Sequence, residues 1–338
     1  MKECRLAVIG CAGLPYEMLY DSVKRLPVRL VAACDNNDDL NAFTRHYRCE
    51  KSYQDWKQLL QEEKPDVVFA FSQQEPLFEV CRESLKAGAY ILAERPVAQN
   101  TAQAEELVHL QRDTGKYAMA RFNRRFAPAY RMAQEVIGRE EFGTPNMFLA
   151  KFQAPLYESN RIYLWNHISH ILDTAVMLMG DLEITHVDHK IWREHQYSYQ
   201  INFRTSEGCL GIIQSGSGQC YEYPMERVEI AGDGCNVVVD NIRHLEYNRT
   251  TPDRKNAGFY PLGRTGDTIV WNQNYGQMTS FGFYGLEGCA GEIIRAALEK
   301  RKPLYQMEDT ARVVRLLETI ERIVGENEPL DNIDAGLL

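Results

Sequence analysis

The chain has 338 residues, 44% apolar and 25% charged, enough for two domains at about 150 residues each and outside the disordered and collagen-like compositions. Lys and Arg number 38 against 47 Asp and Glu, and the net charge of −9 argues against nucleic acid or an anionic membrane as a partner. No apolar run approaches the ~18 residues of a membrane helix, and the nine cysteines, odd in number and without a C-x-x-C pair, read as reduced and mostly buried thiols of a cytoplasmic protein.

The first element is a strand, Leu6–Gly10. Lys2 and Arg5 before Leu6–Cys11 mimic an export signal, but Glu3 sits in the supposed positive region and the apolar stretch is too short. Pro15–Leu26 has helical spacing, with Met18, Leu19, Val23 and Leu26 on one side. Val28–Cys34 is a strand that ends at Asp35. An amphipathic helix is expected over Tyr53–Glu63, a buried strand over Asp66–Phe71, and a helix over Pro76–Ala87 stopped by Gly88. Tyr90–Ala93 is a short strand, Thr101–Thr114 a helix closed by Gly115, and Tyr117–Arg121 a further strand. Strands alternating with helices predict a doubly wound parallel sheet.

After Phe126 the pattern changes. A helix over about 128–138 leads to a strand, Asn146–Phe152, and a second helix covers Trp165–Met179. Strand-like segments then follow one another: Thr185–Trp192, Tyr197–Arg204, Cys209–Ser215, Glu226–Ala231, Asn236–Asp240 and His244–Tyr247. Successive strands without helices predict an α+β domain with a mostly antiparallel open sheet. Residues 249–283, rich in Gly, Asn, Thr and Tyr, read as a long ordered loop or lid, and helices over about 286–300 and 308–324 finish the chain.

Gly10-Cys11-Ala12-Gly13-Leu14-Pro15 stands between a strand and a helix, where a dinucleotide fingerprint belongs. The G-x-G-x-x-G pattern uses its later glycines for close pyrophosphate approach and helix packing, and Ala12 and Pro15 occupy those positions here. Taken alone, the segment also fits a turn in another α/β protein. Asp35 closes the second strand 22 residues after Gly13, near the spacing at which a carboxylate meets the ribose hydroxyls of NAD; the alternative is an ordinary turn residue. Asn36 and Asn37 follow without an Arg or Lys for a 2′-phosphate, which favours NAD over NADP.

Leu85–Ala89, Glu94-Arg95-Pro96, Arg121–Phe126 and His170–Thr174 occur in an order and at spacings that resemble the Gfo/Idh/MocA oxidoreductases, most of all their MviM, or virulence-factor-like, branch. The resemblance covers essentially the whole chain. It implies an N-terminal dinucleotide-binding Rossmann domain over 1–122 and a C-terminal substrate-binding and oligomerisation domain over 123–338. The expected cofactor contacts are Gly10, Cys11, Ala12, Gly13, Leu14, Asp35, Asn36, Ser72, Gln73, Glu94, Arg95 and Asn123. The family's usual catalytic set is the Lys of Glu-Lys-Pro with Asp-x-x-x-His; those positions hold Arg95, Asn166 and His170, so only the histidine matches. A neutral imidazole, pKa ~6.5 unperturbed, can take a hydroxyl proton while hydride leaves the same carbon. Arg95 cannot relay a proton but can stabilise a developing alkoxide, and Asn166 can orient a hydroxyl. Tyr157, Arg161, Tyr163, Trp165 and His167 form an aromatic and polar approach suited to a sugar ring, with packing beneath the second sheet as the alternative; Arg124, after the last strand of the first domain, is also expected to meet the substrate.

No metal is expected, because His167, His170 and Asp173 do not share one helical line and His186 and His189 point to opposite faces of a strand. The expected function is a NAD-dependent dehydrogenase acting on a hydroxyl of a sugar, polyol or sugar acid. Departures at Arg95 and Asn166 and the imperfect glycine loop leave an NAD-binding pseudoenzyme with a ligand-sensing role as one alternative, and the resemblance implies a second, an NAD-assisted glycosidase. A homodimer or homotetramer is expected.

Overall fold

The computed structural model describes residues 3–11, 23–36, 38–71, 77–219, 226–250, 266–273, 282 and 284–327. Its packing divides the chain into two compact units, Met1–Phe126 with Ser280–Arg315, and Ala127–Thr279 with Leu316–Leu338.

The first unit is built on a six-stranded parallel sheet in the order β3-β2-β1-β4-β5-β6. The strands are β1 (Cys4–Ile9), β2 (Val28–Cys34), β3 (Lys51–Tyr53), β4 (Val67–Ala70), β5 (Tyr90–Ala93) and β6 (Ala118–Ala120). β4 and β5 are buried at every position, as near-continuous apolar runs in a parallel sheet covered on both faces should be. Asp55 caps the helix Trp56–Glu63 by accepting from the Lys57 N–H, and Asn100 caps Thr101–Thr114 through Gln103. Leu6, Val8, Phe69 and Leu92 share one core with Ile293 and Ile294, so the late helix Leu286–Glu299 belongs to this unit.

The second unit carries an eight-stranded sheet in the order β14-β13-β12-β11-β7-β10-β9-β8. Its strands are β7 (Met147–Ala154), β8 (Leu182–Arg193), β9 (Gln196–Thr205), β10 (Leu210–Ser217), β11 (Glu226–Ala231), β12 (Asn236–Asp240), β13 (His244–Thr250) and β14 (Gly266–Asn272). Only β7 and β10 pair in parallel; every other neighbour is antiparallel. Along β7 buried Phe148, Ala150 and Phe152 alternate with exposed Met147, Leu149 and Lys151, the signature of a sheet with one covered face. The helix Ser169–Met179 is buried at ten of its eleven positions, which explains why its sequence is apolar all round.

Four sequence expectations need correction. The helix expected from Tyr53 begins at Trp56, because Lys51–Tyr53 joins the sheet beside Ala32–Cys34. A helix over Asp39–Tyr47 was not anticipated; only Leu40 and Phe43 of its nine residues are buried, too sparse a stripe to read as a period. Residues 249–283 are not simply a loop, since Gly266–Asn272 pairs with His244–Thr250 as an edge strand. The helix expected over Trp165–Met179 starts earlier, with a turn at Asn160–Ile162 and a π-helical stretch over Tyr163–Ile168. Most of the expected helix Pro15–Leu26 and, within 249–283, residues 251–265, 274–281 and 283 lie outside the described residues.

Among the described residues no helix is long and apolar enough to cross a membrane, and no three His, Cys, Asp or Glu converge as metal ligands.

Candidate active site

The C-terminal ends of parallel strands are where doubly wound folds bind ligands, and the first unit gathers its candidate residues there. Gly10 leaves β1 with φ +96°, a left-handed conformation that a side chain would resist, while its N–H donates to the Cys34 carbonyl at 2.9 Å. The next N–H, of Cys11, donates to Asp35 Oδ2 at 2.5 Å, and that of Asn36 donates to Oδ1 at 2.7 Å. Asp35 therefore ties the ends of β1 and β2 together. A carboxylate has about four acceptor sites, so two remain for other donors. Burial pushes the Cys11 thiol well up, reinforced by Asp35, so it stays protonated.

A cavity of about 320 Å³ opens at Asn36, lined also by Asp38, Leu40, Asn41, Ser52, Tyr53 and Gln54. Its lining holds a carboxylate and no cation. A phosphate there would find no counter-charge among these lining residues. Ala12, Gly13, Leu14, Ser72 and Gln73 lie outside the described residues.

Glu94, at the end of β5, accepts two hydrogen bonds from Arg121, from Nε and Nη2 at 2.9 Å each, and pairs with the Arg95 guanidinium. Burial raises the Glu94 carboxyl, but Arg121 and Arg95 outweigh it and hold it at about 2. Arg95 is drawn down to about 10 by burial and by the neighbouring charges of Arg121 and Arg124, against the pull of Glu94, and is still a cation at neutral pH. The Arg95-Pro96 peptide is cis. Asn123 is buried, and its side-chain N–H donates to the Tyr284 carbonyl at 2.7 Å.

In the second unit His170 stands on the helix Ser169–Met179 with 8% of its surface exposed, and its carbonyl accepts from Thr174 Oγ1 at 2.9 Å. Asn166 is half-buried in the π-helical stretch, a wider turn that recurs at functional sites. The His167 ring stacks on Phe152 at 4.0 Å and on Tyr163 at 5.4 Å, with Tyr157 Oη 3.5 Å from its Nδ1. Tyr163 donates to Ser215 Oγ at 2.6 Å, and Ser215 donates to the Phe152 carbonyl at 2.6 Å. Fully buried, with its hydroxyl engaged, Tyr163 packs beneath the sheet, the alternative weighed for this group. Trp165 is also buried, under the Arg161 guanidinium at 4.8 Å. Tyr157 and Asn166 are the half-buried members of this group.

His186 and His189 do not meet: His186 is exposed beside Asp188 at 3.3 Å, while His189 lies 4.5 Å from the Tyr199 ring. Sequence reasoning missed the Arg121 fork on Glu94. The signal was available, because adjacent parallel strands end at Ala93 and Ala120 in register.

Residues 4–122 match the model of an oxidoreductase family with an NAD-binding Rossmann fold, Gfo/Idh/MocA. The chain is 23% identical over 230 residues to a myo-inositol 2-dehydrogenase of Thermotoga maritima, covering 63% of this chain and 68% of the relative. A crystal structure of an MviM dehydrogenase from Clostridium difficile superposes with a TM-score of 0.77 at 20% identity, over 95% of this chain and 99% of that one. A levoglucosan dehydrogenase in complex with NADH and levoglucosan superposes with a TM-score of 0.81 at 16% identity, over 97% and 98% of the two chains.

Proposed function

The chain belongs to the Gfo/Idh/MocA oxidoreductases through residues 4–122, and on that premise we propose that it moves a hydride between NAD and a hydroxyl-bearing carbon of a sugar, polyol or sugar acid. The family match over the Rossmann domain carries this reading. The likeness to a myo-inositol and to a levoglucosan dehydrogenase supports a polyhydroxylated substrate.

Asp35, with two acceptor sites to spare, takes the ribose hydroxyls. NAD supplies the hydride acceptor when bound. His170 receives the proton of the reacting hydroxyl, a role an imidazole can fill near neutral pH. Arg95 is a fixed cation: it stabilises the alkoxide as it develops and passes no proton on. Asn166 orients a substrate hydroxyl, and Tyr157 and Arg124 border the ring. The experiment is a calorimetric titration with NADH and NADPH, followed by NAD⁺ reduction with myo-inositol, levoglucosan, glucose and glucuronate. Tighter NADH binding and turnover of one of these substrates support the reading; binding of neither dinucleotide overturns it.

We also propose a homo-oligomer formed through the outward face of the second unit's sheet. Met147 lies opposite Leu210, and Leu149 opposite Ile212, with Met147, Leu149 and Leu210 exposed by 45%, 37% and 58%. A contiguous apolar patch on a sheet face is a surface that monomers seldom leave to water. The setting proposed is the cytoplasm, on the scattered, odd-numbered cysteines of the sequence.

A further inference from the structure

β5 and β6 are neighbours, and the Arg121 N–H donates to the Ala93 carbonyl at 2.8 Å, continuing their ladder one residue past β6. Glu94 and Arg121 therefore project from adjacent strand ends. Arg121 is only 8% exposed, and among the described residues its side chain bonds to Glu94 alone, through both arms of the guanidinium fork. Arg95 reaches the same carboxylate with its guanidinium and also donates its backbone N–H to Oε1 at 3.1 Å. One carboxylate thus serves two arginines, and only one of them is in the proposed reaction.

We propose that Arg121 is a positioning residue: its two-pronged hold on Glu94 fixes the carboxylate that in turn anchors the Arg95 guanidinium. The consequence for function rests on the reading that Arg95 meets both the reacting hydroxyl and the cofactor. A bidentate guanidinium–carboxylate pair sets both the position and the plane of the carboxylate, which a single-point contact would not. The charges that bear on this cluster are Arg121 from the end of β6, Arg95 beside Glu94, and Arg124, which acts on Arg95. Burial favours the protonated carboxyl, and the two arginines oppose it. Without Arg121 the carboxyl rises toward protonation, accepts more weakly, and loosens its hold on Arg95.

The test compares Arg121→Met and Arg121→Lys with the wild type by melting temperature at pH about 7.5 and about 3, alongside NADH affinity. In the wild type the folded-state carboxyl lies below its unfolded value of about 4.3, so its stabilisation is complete above that pH and fades as pH falls toward 2. Arg121→Met forfeits this contribution. Its melting deficit should be about 5 °C or more at the higher pH and less than half as large at the lower. Arg121→Lys, which keeps the charge without the fork, should recover most of the pH-dependent part. NADH should bind the Met variant about tenfold more weakly, the loss of one charge-assisted contact. A deficit equal at both pH values, or none, overturns the proposal. A pH-dependent deficit with unchanged NADH affinity upholds the hold on Glu94 and removes Arg95 from the cofactor. If the Met variant fails to fold, Arg121→Gln carries the same comparison.

Discussion

Replacing Asp35 by Ala removes the group that joins the first two strand ends and, on the proposed reading, the group that holds the ribose. Its carboxylate accepts from Cys11 at 2.5 Å and from Asn36 at 2.7 Å, leaving about two of its four acceptor sites for the 2′- and 3′-hydroxyls. Hydrogen bonds to a charged acceptor contribute about 1.5 kcal/mol each at the lower end of their range. Two lost bonds therefore amount to about 3 kcal/mol, or roughly 100-fold in the NADH dissociation constant. NADPH should lose much less, because the same substitution removes a carboxylate that opposes its 2′-phosphate. Calorimetric titration of both dinucleotides into wild type and Asp35→Ala, at one fixed ionic strength, reads both effects. An NADH affinity changed by less than about threefold, or wild type that prefers NADPH, refutes the assignment of Asp35 to the ribose.

Arg95→Lys should lower kcat/KM about tenfold, because the fork that meets Glu94 and, on the proposed reading, the alkoxide becomes a point charge; a rise in steady-state rate would contradict this. Gly211→Ala would place a Cβ 2.1 Å from the Phe203 ring and should cost about 1–3 kcal/mol in chemical denaturation, with Phe203→Leu recovering part of the loss. His189 is held down to about 4 by burial, below its ordinary value of 6.5. The unfolded chain then binds the extra proton first, so this site's contribution to stability is intact above about pH 6.5 and is lost as pH falls toward 4; His189→Phe should flatten that part of the melting profile. Light scattering at micromolar protein should return a dimer or tetramer, and Leu149→Glu with Leu210→Glu should shift it toward the 38.9 kDa monomer.

The parallel sheet was legible because all its strands but Lys51–Tyr53 are mainly apolar runs, and the helices between them carry stop signals: Gly115 ends its helix at φ +65°, as its position after Thr114 suggests. Asp39–Tyr47 was not legible, since a helix with two buried residues has no apolar period to detect. Tertiary pairing also overrode local pattern at Lys51–Tyr53, where a three-residue strand is specified by its neighbour more than by its own residues. In the candidate site, Asp35 and the Glu94–Arg95 pair could be picked out by spacing and motif. The burial of Tyr163 could not, because it depends on Ser215 from a strand 52 residues away. The π-helical turn at Tyr163–Ile168 was equally hidden: the apolar spacing there also suits an ordinary α-helix.

The most direct test of the proposed chemistry is NAD⁺ reduction by wild type and His170→Ala on the same panel of sugars, polyols and sugar acids, with NADH affinity measured in parallel. His170 as proton acceptor predicts turnover by the wild type and a loss of about 10²–10⁴-fold in the variant, with NADH binding nearly unchanged. Undiminished turnover in His170→Ala would contradict it, as would an inactive wild type that gains activity only when Arg95→Lys and Asn166→Asp are combined.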